Sequence, residues 1–113
     1  MPDKYEVKIT KQALGQMKEI VHYISHELLA PEAATNLLDK MEVAIDSLSE
    51  MPDRMSLVDE KPWNSKGIRK IIVKNFLIYF WIDEEHKRVQ VTAVIFEKRD
   101  QVKQLLNMDM DFN

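Results

Sequence analysis

The residues best suited to chemistry stand in the second half of the chain. Between positions 61 and 74 lie Lys61, Lys66, Arg69, Lys70 and Lys74 with no acid among them, and Glu97-Lys98-Arg99 follows a later apolar run. Clustered cations attract phosphates or acidic protein segments, although a solvated basic face needs no partner. The formal net charge of −3 conceals the cluster: residues 1–60 carry six Lys and Arg against twelve Asp and Glu, whereas residues 61–113 carry ten against seven. His22 and His26 stand four apart, a spacing that can hold a metal on one helix face. The run His-Tyr-Ile-Ser-His lacks the glutamate of a zinc-protease motif, and a solvated helix face is the plainer reading. His86 falls in a charged stretch and reads as an exposed turn residue. With no cysteine the sequence offers no thiol nucleophile, thiolate metal site or disulfide, which fits a reducing compartment. It also lacks a glycine-rich phosphate loop and a serine, histidine and aspartate set.

The elements that must position these residues follow from periodicity. At 113 residues and 45% apolar content, the chain has the size and composition of one domain with its own core. The longest apolar run, Phe76 to Ile82, is too short to span a bilayer, so the expectation is a soluble cytoplasmic protein. Tyr5, Val7 and Ile9 alternate with polar residues as a half-buried strand does. Thr10 is placed to cap a helix whose stripe is Ala13, Leu14, Met17, Ile20, Val21, Ile24 and Leu28. Pro31 suits the first turn of a second helix carrying Ala34, Leu37, Leu38, Met41, Ile45 and Leu48, which ends at Met51-Pro52. Two amphipathic helices joined this tightly form an antiparallel hairpin.

Residues 52–66 lose periodicity and read as a loop ended by Gly67. Beyond it, Ile68 to Val73, Phe76 to Ile82 and Val89 to Glu97 read as a three-strand antiparallel meander, turned at Lys74-Asn75 and at Asp83 to Arg88. Asp100 is placed to cap a last short helix through Val102, Leu105 and Leu106, ahead of a frayed tail from 108 to 113. A two-residue turn sets Val73 opposite Phe76, Ile71 opposite Ile78 and Arg69 opposite Phe80. Ile82 opposite Val89 then gives Phe80 with Val91, Ile78 with Ala93 and Phe76 with Ile95, an apolar face for the helix hairpin. The other face, with Lys70, Ile72, Leu77, Tyr79, Trp81, Gln90, Thr92, Val94 and Phe96, reads as a groove left open or covered by a partner. Trp63 stands between Pro62 and Asn64, where packing against the sheet edge is the plainer reading. The predicted fold is a two-layer α+β domain.

Gly67-Ile68-Arg69-Lys70, then Val73-Lys74-Asn75-Phe76-Leu77-Ile78-Tyr79-Phe80, then Val91 to Asp100 (VTAVIFEKRD), in this order after a strand and two helices, resemble the RelE/ParE superfamily of bacterial toxins. The resemblance covers nearly the whole chain. It implies the toxic half of a type II toxin–antitoxin module, with a cognate antitoxin that wraps the toxin in a hetero-oligomer. In mRNA-cleaving members the ribose 2′-hydroxyl is the nucleophile, so neither metal nor cofactor is needed. The protein must orient the scissile phosphate, stabilise the added charge and move two protons. Under this resemblance Arg69 and Arg99 are the phosphate-binding arginines and Lys98 adds charge, with Glu97 as the conceivable base. Lys61, Lys66, Lys70, Lys74 and Lys103 would contact RNA, with Tyr79 and Trp81 stacking on displaced bases.

Nuclease members place a histidine or tyrosine near the end of the last strand or in the terminal helix, where this chain has Phe96 and Leu105. ParE-type members share the fold and poison DNA gyrase without evident catalytic groups. With Arg69, Lys98 and Arg99 all present and lysines in the loop before Arg69, the sequence reading favours a ribosome-associated mRNA endonuclease, and the alternative is a gyrase inhibitor acting by binding.

Overall fold

The computed structural model describes residues 4–59 and 61–97. Strand β1 (Glu6–Ile9) leads into helix α1 (Lys11–His22), which continues as a π-helical turn at Tyr23–Glu27, and helix α2 (Pro31–Asp46) follows. Short 3-10 turns at Ser47–Ser49 and Pro52–Arg54 precede strands β2 (Arg69–Val73), β3 (Phe76–Asp83) and β4 (Arg88–Phe96). The caps are those the sequence supplies. Thr10 Oγ1 accepts a hydrogen bond from the Ala13 amide at 3.2 Å, and Pro31 opens α2 where its missing N–H costs nothing. Helix α1 buries Ala13 and Met17, and α2 buries Ala34, Leu37, Met41 and Ile45. The expected helix from Asp100 and the tail beyond it lie outside the described residues.

The four strands form one mixed sheet in the order β1-β4-β3-β2, with β1 parallel to β4 and the other pairs antiparallel. Between β2 and β3 the expected register holds: Arg69 faces Phe80, Ile71 faces Ile78 and Val73 faces Phe76. Between β3 and β4 it holds only as far as Phe80 with Val91. A bulge at Thr92 shifts the register, so Tyr79 pairs with Ala93, Ile78 with Val94 and Phe76 with Phe96. The expected pairs Ile78 with Ala93 and Phe76 with Ile95 are thus corrected by one residue. A slip of one residue moves every later side chain to the other face. Val94 accordingly joins Val89, Val91, Ile78 and Phe80 in the core beneath the helices, while Ala93 and Ile95 turn to the opposite side.

That opposite side is the second correction. It is no open groove: Leu77, Tyr79, Ala93 and Ile95 are buried there with Val58, Trp63 and Ile68, and Trp81 packs against the cluster. The chain's own loop supplies the cover, because the segment around residues 56–58 pairs with the entry to β2. Val58 N donates to Ile68 O at 2.9 Å, Lys70 N to Ser56 O at 3.2 Å, and Asn64 Nδ2 to Val58 O at 2.7 Å. Gly67, at φ 82°, turns the chain back into β2 in a conformation that favours glycine. Four other positions hold left-handed backbone without glycine, namely Leu29, Met51, Lys74 and Lys87. The sequence reading of Trp63 as packed on the sheet edge goes in the right direction, but a loop without periodicity does not tell that Val58 joins it under the sheet face.

At the β3–β4 turn, Asp83 receives the His86 amide on Oδ1, and its Oδ2 lies 2.8 Å from His86 Nδ1. The His86 side chain, with smaller help from its amide and from Arg88, holds the Asp83 carboxyl below the usual carboxylate range against a desolvation penalty. A carboxyl depressed in the folded state stabilises the fold above its unfolded pKa, and that stability is lost as pH falls through the folded value. His86→Ala is expected to raise the Asp83 pKa toward the free value, near 3.9, as read by NMR titration. An unshifted titration would remove His86 as the cause. Trp63→Ala is expected to lower stability by about 3–5 kcal/mol in urea unfolding, as for a buried core aromatic. A loss well under about 1 kcal/mol would show that the loop is not part of the core.

Candidate functional site

The cations singled out in sequence divide between the two ends of β2. Five residues of strand span about 13 Å from the first Cα to the last, so Arg69 and Lys74 cannot converge on one phosphate along the strand. At the first end, Lys61 and Lys66 are exposed on the loop, and Arg69 and Lys70 are half-buried at the strand entry. The Arg69 guanidinium is already engaged: its Nη1 donates to the carbonyls of Asp53 (3.3 Å) and Met55. These bonds tie the turn at Pro52–Arg54 to the sheet, so the arginine acts here as a clasp on its own chain. Arg69 follows Ile71 and Val73 on the helix side, and Lys70 lies on the side of the loop, as the two-residue turn predicts.

The second end gathers a different group. Glu97 N donates to Asn75 O at 2.7 Å, which brings the exposed Glu97 beside the Lys74-Asn75 turn. Lys40, from α2, joins them, and the neighbouring Lys74 ammonium holds its pKa below the usual lysine value. Two ammonium groups within mutual reach make this end electropositive. Sequence reasoning missed Lys40, since nothing in the spacing of a polar helix residue links it to a turn far along the chain. Lys98, Arg99 and Lys103 lie outside the described residues. Tyr79 is 1% exposed, so it cannot stack on a base: Val58 and Trp63 cover the face it occupies. Trp81 is half-buried against the same cluster.

The exposed apolar surface lies elsewhere. Ile20, Tyr23, Ile24 and Leu28 form one wall of a groove of about 680 Å³, and Phe76, Val94 and Phe96 form the other. Tyr23 and Leu28 are each more than half exposed, as is Leu29 beside them. Phe76 and Phe96 rings stack at 5.4 Å at the end of the sheet, where β4 leaves the fold. Gln16 on this face donates no side-chain hydrogen to the sheet but accepts one, from Val94 N at 2.8 Å. An apolar trough of this length, with Gln16 and Glu19 at its edge, suits an amphipathic segment rather than a small polar substrate.

The sequence profile of the ParE toxin of the type II toxin–antitoxin system parDE matches residues 7–101. No curated protein shows significant sequence similarity to the chain. Among solved structures it is similar to the chromosomal ParDE toxin–antitoxin system from P. aeruginosa, with TM-score 0.65 and 18% identity over 82% of this chain and 96% of that one. It is also similar to the toxin–antitoxin complex RelBE2 from Mycobacterium tuberculosis, with TM-score 0.58 and 20% identity over 83% and 92% of the two chains. A mutant of the E. coli toxin RelE in the free state gives TM-score 0.62 and 13% identity over 89% and 92%. At these identities the structures share the fold, and the family match carries the kinship.

Arg69→Lys is expected to keep the charge yet lose the fork that bridges two carbonyls, with Arg69→Ala losing both. Both variants should be less stable, Arg69→Ala by about 1–3 kcal/mol, and should be cut faster by protease within residues 52–67. Unchanged stability and cleavage in both would free Arg69 for a purely functional role.

Proposed function

The chain belongs to the ParE toxin family of type II toxin–antitoxin systems, and on that footing we propose that it poisons its target by binding, the target being DNA gyrase. The observation that carries this reading is the engagement of Arg69 by the carbonyls of Asp53 and Met55. A nuclease of the related kind needs a free arginine fork on the phosphate and groups that exchange protons beside it. Among the described residues the histidines stand on the helix hairpin and on the β3–β4 turn, and Tyr79 is buried. The charge balance supports the same reading. A chain of net charge −3 with its cations split between two ends grips a polyanion weakly, whereas short basic patches suffice to orient a docking protein.

The cognate antitoxin belongs to the proposal. Its amphipathic segment would lie in the groove between the Tyr23 and Phe96 walls, and acidic residues at its end would meet Lys40 and Lys74. Covering this trough would hide the exposed Tyr23 and Leu28 side chains, an apolar gain that favours a lasting pair.

Purified toxin assayed in parallel on gyrase supercoiling and on ribosome-bound mRNA is expected to inhibit supercoiling and leave the message intact. Cleavage with unaffected gyrase would replace this reading with the nuclease. In co-purification with the antitoxin, Tyr23→Asp and Leu28→Asp are each expected to weaken the complex about tenfold or more, the loss of one buried apolar contact being worth at least that. A complex unchanged by both would place the antitoxin on another face.

A further inference from the structure

His22 and His26 are the one pair of titratable rings that neither the toxin reading nor the core accounts for. His22 ends α1 and His26 lies in the π-helical turn that follows, whose wider winding is visible in the Leu28 N to Tyr23 O bond of 3.1 Å. Their ring centroids stand 4.2 Å apart with the planes tilted by 41°. Both rings are exposed, and among the described residues neither takes part in a hydrogen bond or ion pair. His86, by contrast, is committed to Asp83. A π turn inside a helix commonly marks a functional position. Here it brings two imidazole rings together at the mouth of a groove of about 620 Å³ between the two helices.

The groove has the right chemistry for a cation. Glu42 and Asp46 on α2 line it opposite the histidines, with Lys18 as the opposing charge and Ser25 as a further oxygen. Imidazole nitrogens bind divalent zinc at about 2.0–2.1 Å, so two of them on one ion sit roughly 3.3 Å apart in a tetrahedral site. We propose that His22 and His26 form a binding site for a borderline divalent transition metal of the zinc or nickel class. Water, with Glu42 or Asp46 in reach of the outer shell, completes the coordination. The metal bridges the last turn of α1 to the π turn and so braces the tip of the helix hairpin, independently of how the toxin acts.

The test is calorimetric titration of the full chain, purified without an affinity tag, with zinc chloride. The expected result is one equivalent bound, weakened about tenfold or more by His22→Asn or His26→Asn and abolished in the double variant. The thermal midpoint should rise with zinc in the parent and stay fixed in the double variant. His86→Asn serves as the control, because Asp83, Glu85 and His86 place potential ligand atoms within 4.8 Å of one another at the β3–β4 turn. Zinc binding unaffected by the double variant, lost instead in His86→Asn, or absent altogether would overturn the site. Both histidines are exposed, so their substitution leaves the core intact.

Discussion

The bulge at Thr92 is the constraint on which the sheet depends. Without it β4 would present Val89, Val91, Ala93 and Ile95 to the helices and leave Val94 on the loop side. With it, the strand feeds two cores in succession. Around the bulge, hydrogen bonds reach β4 from the start of α1 and from β3. Thr92 Oγ1 donates to Tyr79 O at 3.3 Å, and Thr10 Oγ1 donates to Thr92 O at 3.4 Å. Gln16 Oε1 receives Val94 N, and Thr10 N reaches Val91 O at 3.0 Å. Buried backbone groups must be paired, so the start of α1 and the bulge specify each other. Thr10 thus caps its own helix and closes the break in a distant strand.

A sheet with two apolar faces needs two covers, and a helix hairpin supplies only one. The loop from Met55 to Ile68 supplies the other, held by its pairing with the entry to β2 and by the Arg69 clasp. This arrangement moves the functional surface. With the far side of the sheet occupied by Val58 and Trp63, contact with a partner is left to the helix hairpin, the sheet ends and the rim of the loop. Under the proposed function, the antitoxin and the target would meet surfaces made of element ends rather than a central cleft.

Local signals carried most of the architecture. Thr10 and Pro31 are legible as helix starts because capping and proline geometry act within one turn. The β2–β3 register is legible because a two-residue turn leaves no freedom. The β3–β4 register past Phe80 was not, because a bulge at one threonine in a run of β-formers leaves no compositional trace. The burial of Tyr79 followed from the same gap: Trp63 was visible as an oddity in a polar loop, but its destination depends on a return of the chain. The candidate site was legible as a list of cations and not as a constellation. Arg69 looks the same in sequence whether its fork meets a phosphate or two carbonyls, and Lys40 reaches Lys74 only through the packing of α2 on the sheet.

Lys74 and Lys87 occupy left-handed turn positions where glycine would relax the backbone. An L side chain there costs on the order of 1 kcal/mol each. In both places the side chain that incurs this strain is an ammonium in use. Lys74 stands beside Lys40 at the sheet end, and Lys87 lies 5.3 Å over the Tyr5 ring and 3.1 Å from a Glu84 oxygen. Thermostability and surface charge are therefore in direct conflict at these two turns. A variant selected only for heat resistance would drift toward glycine or asparagine at Lys74 and lose half of an electropositive pair as it did so.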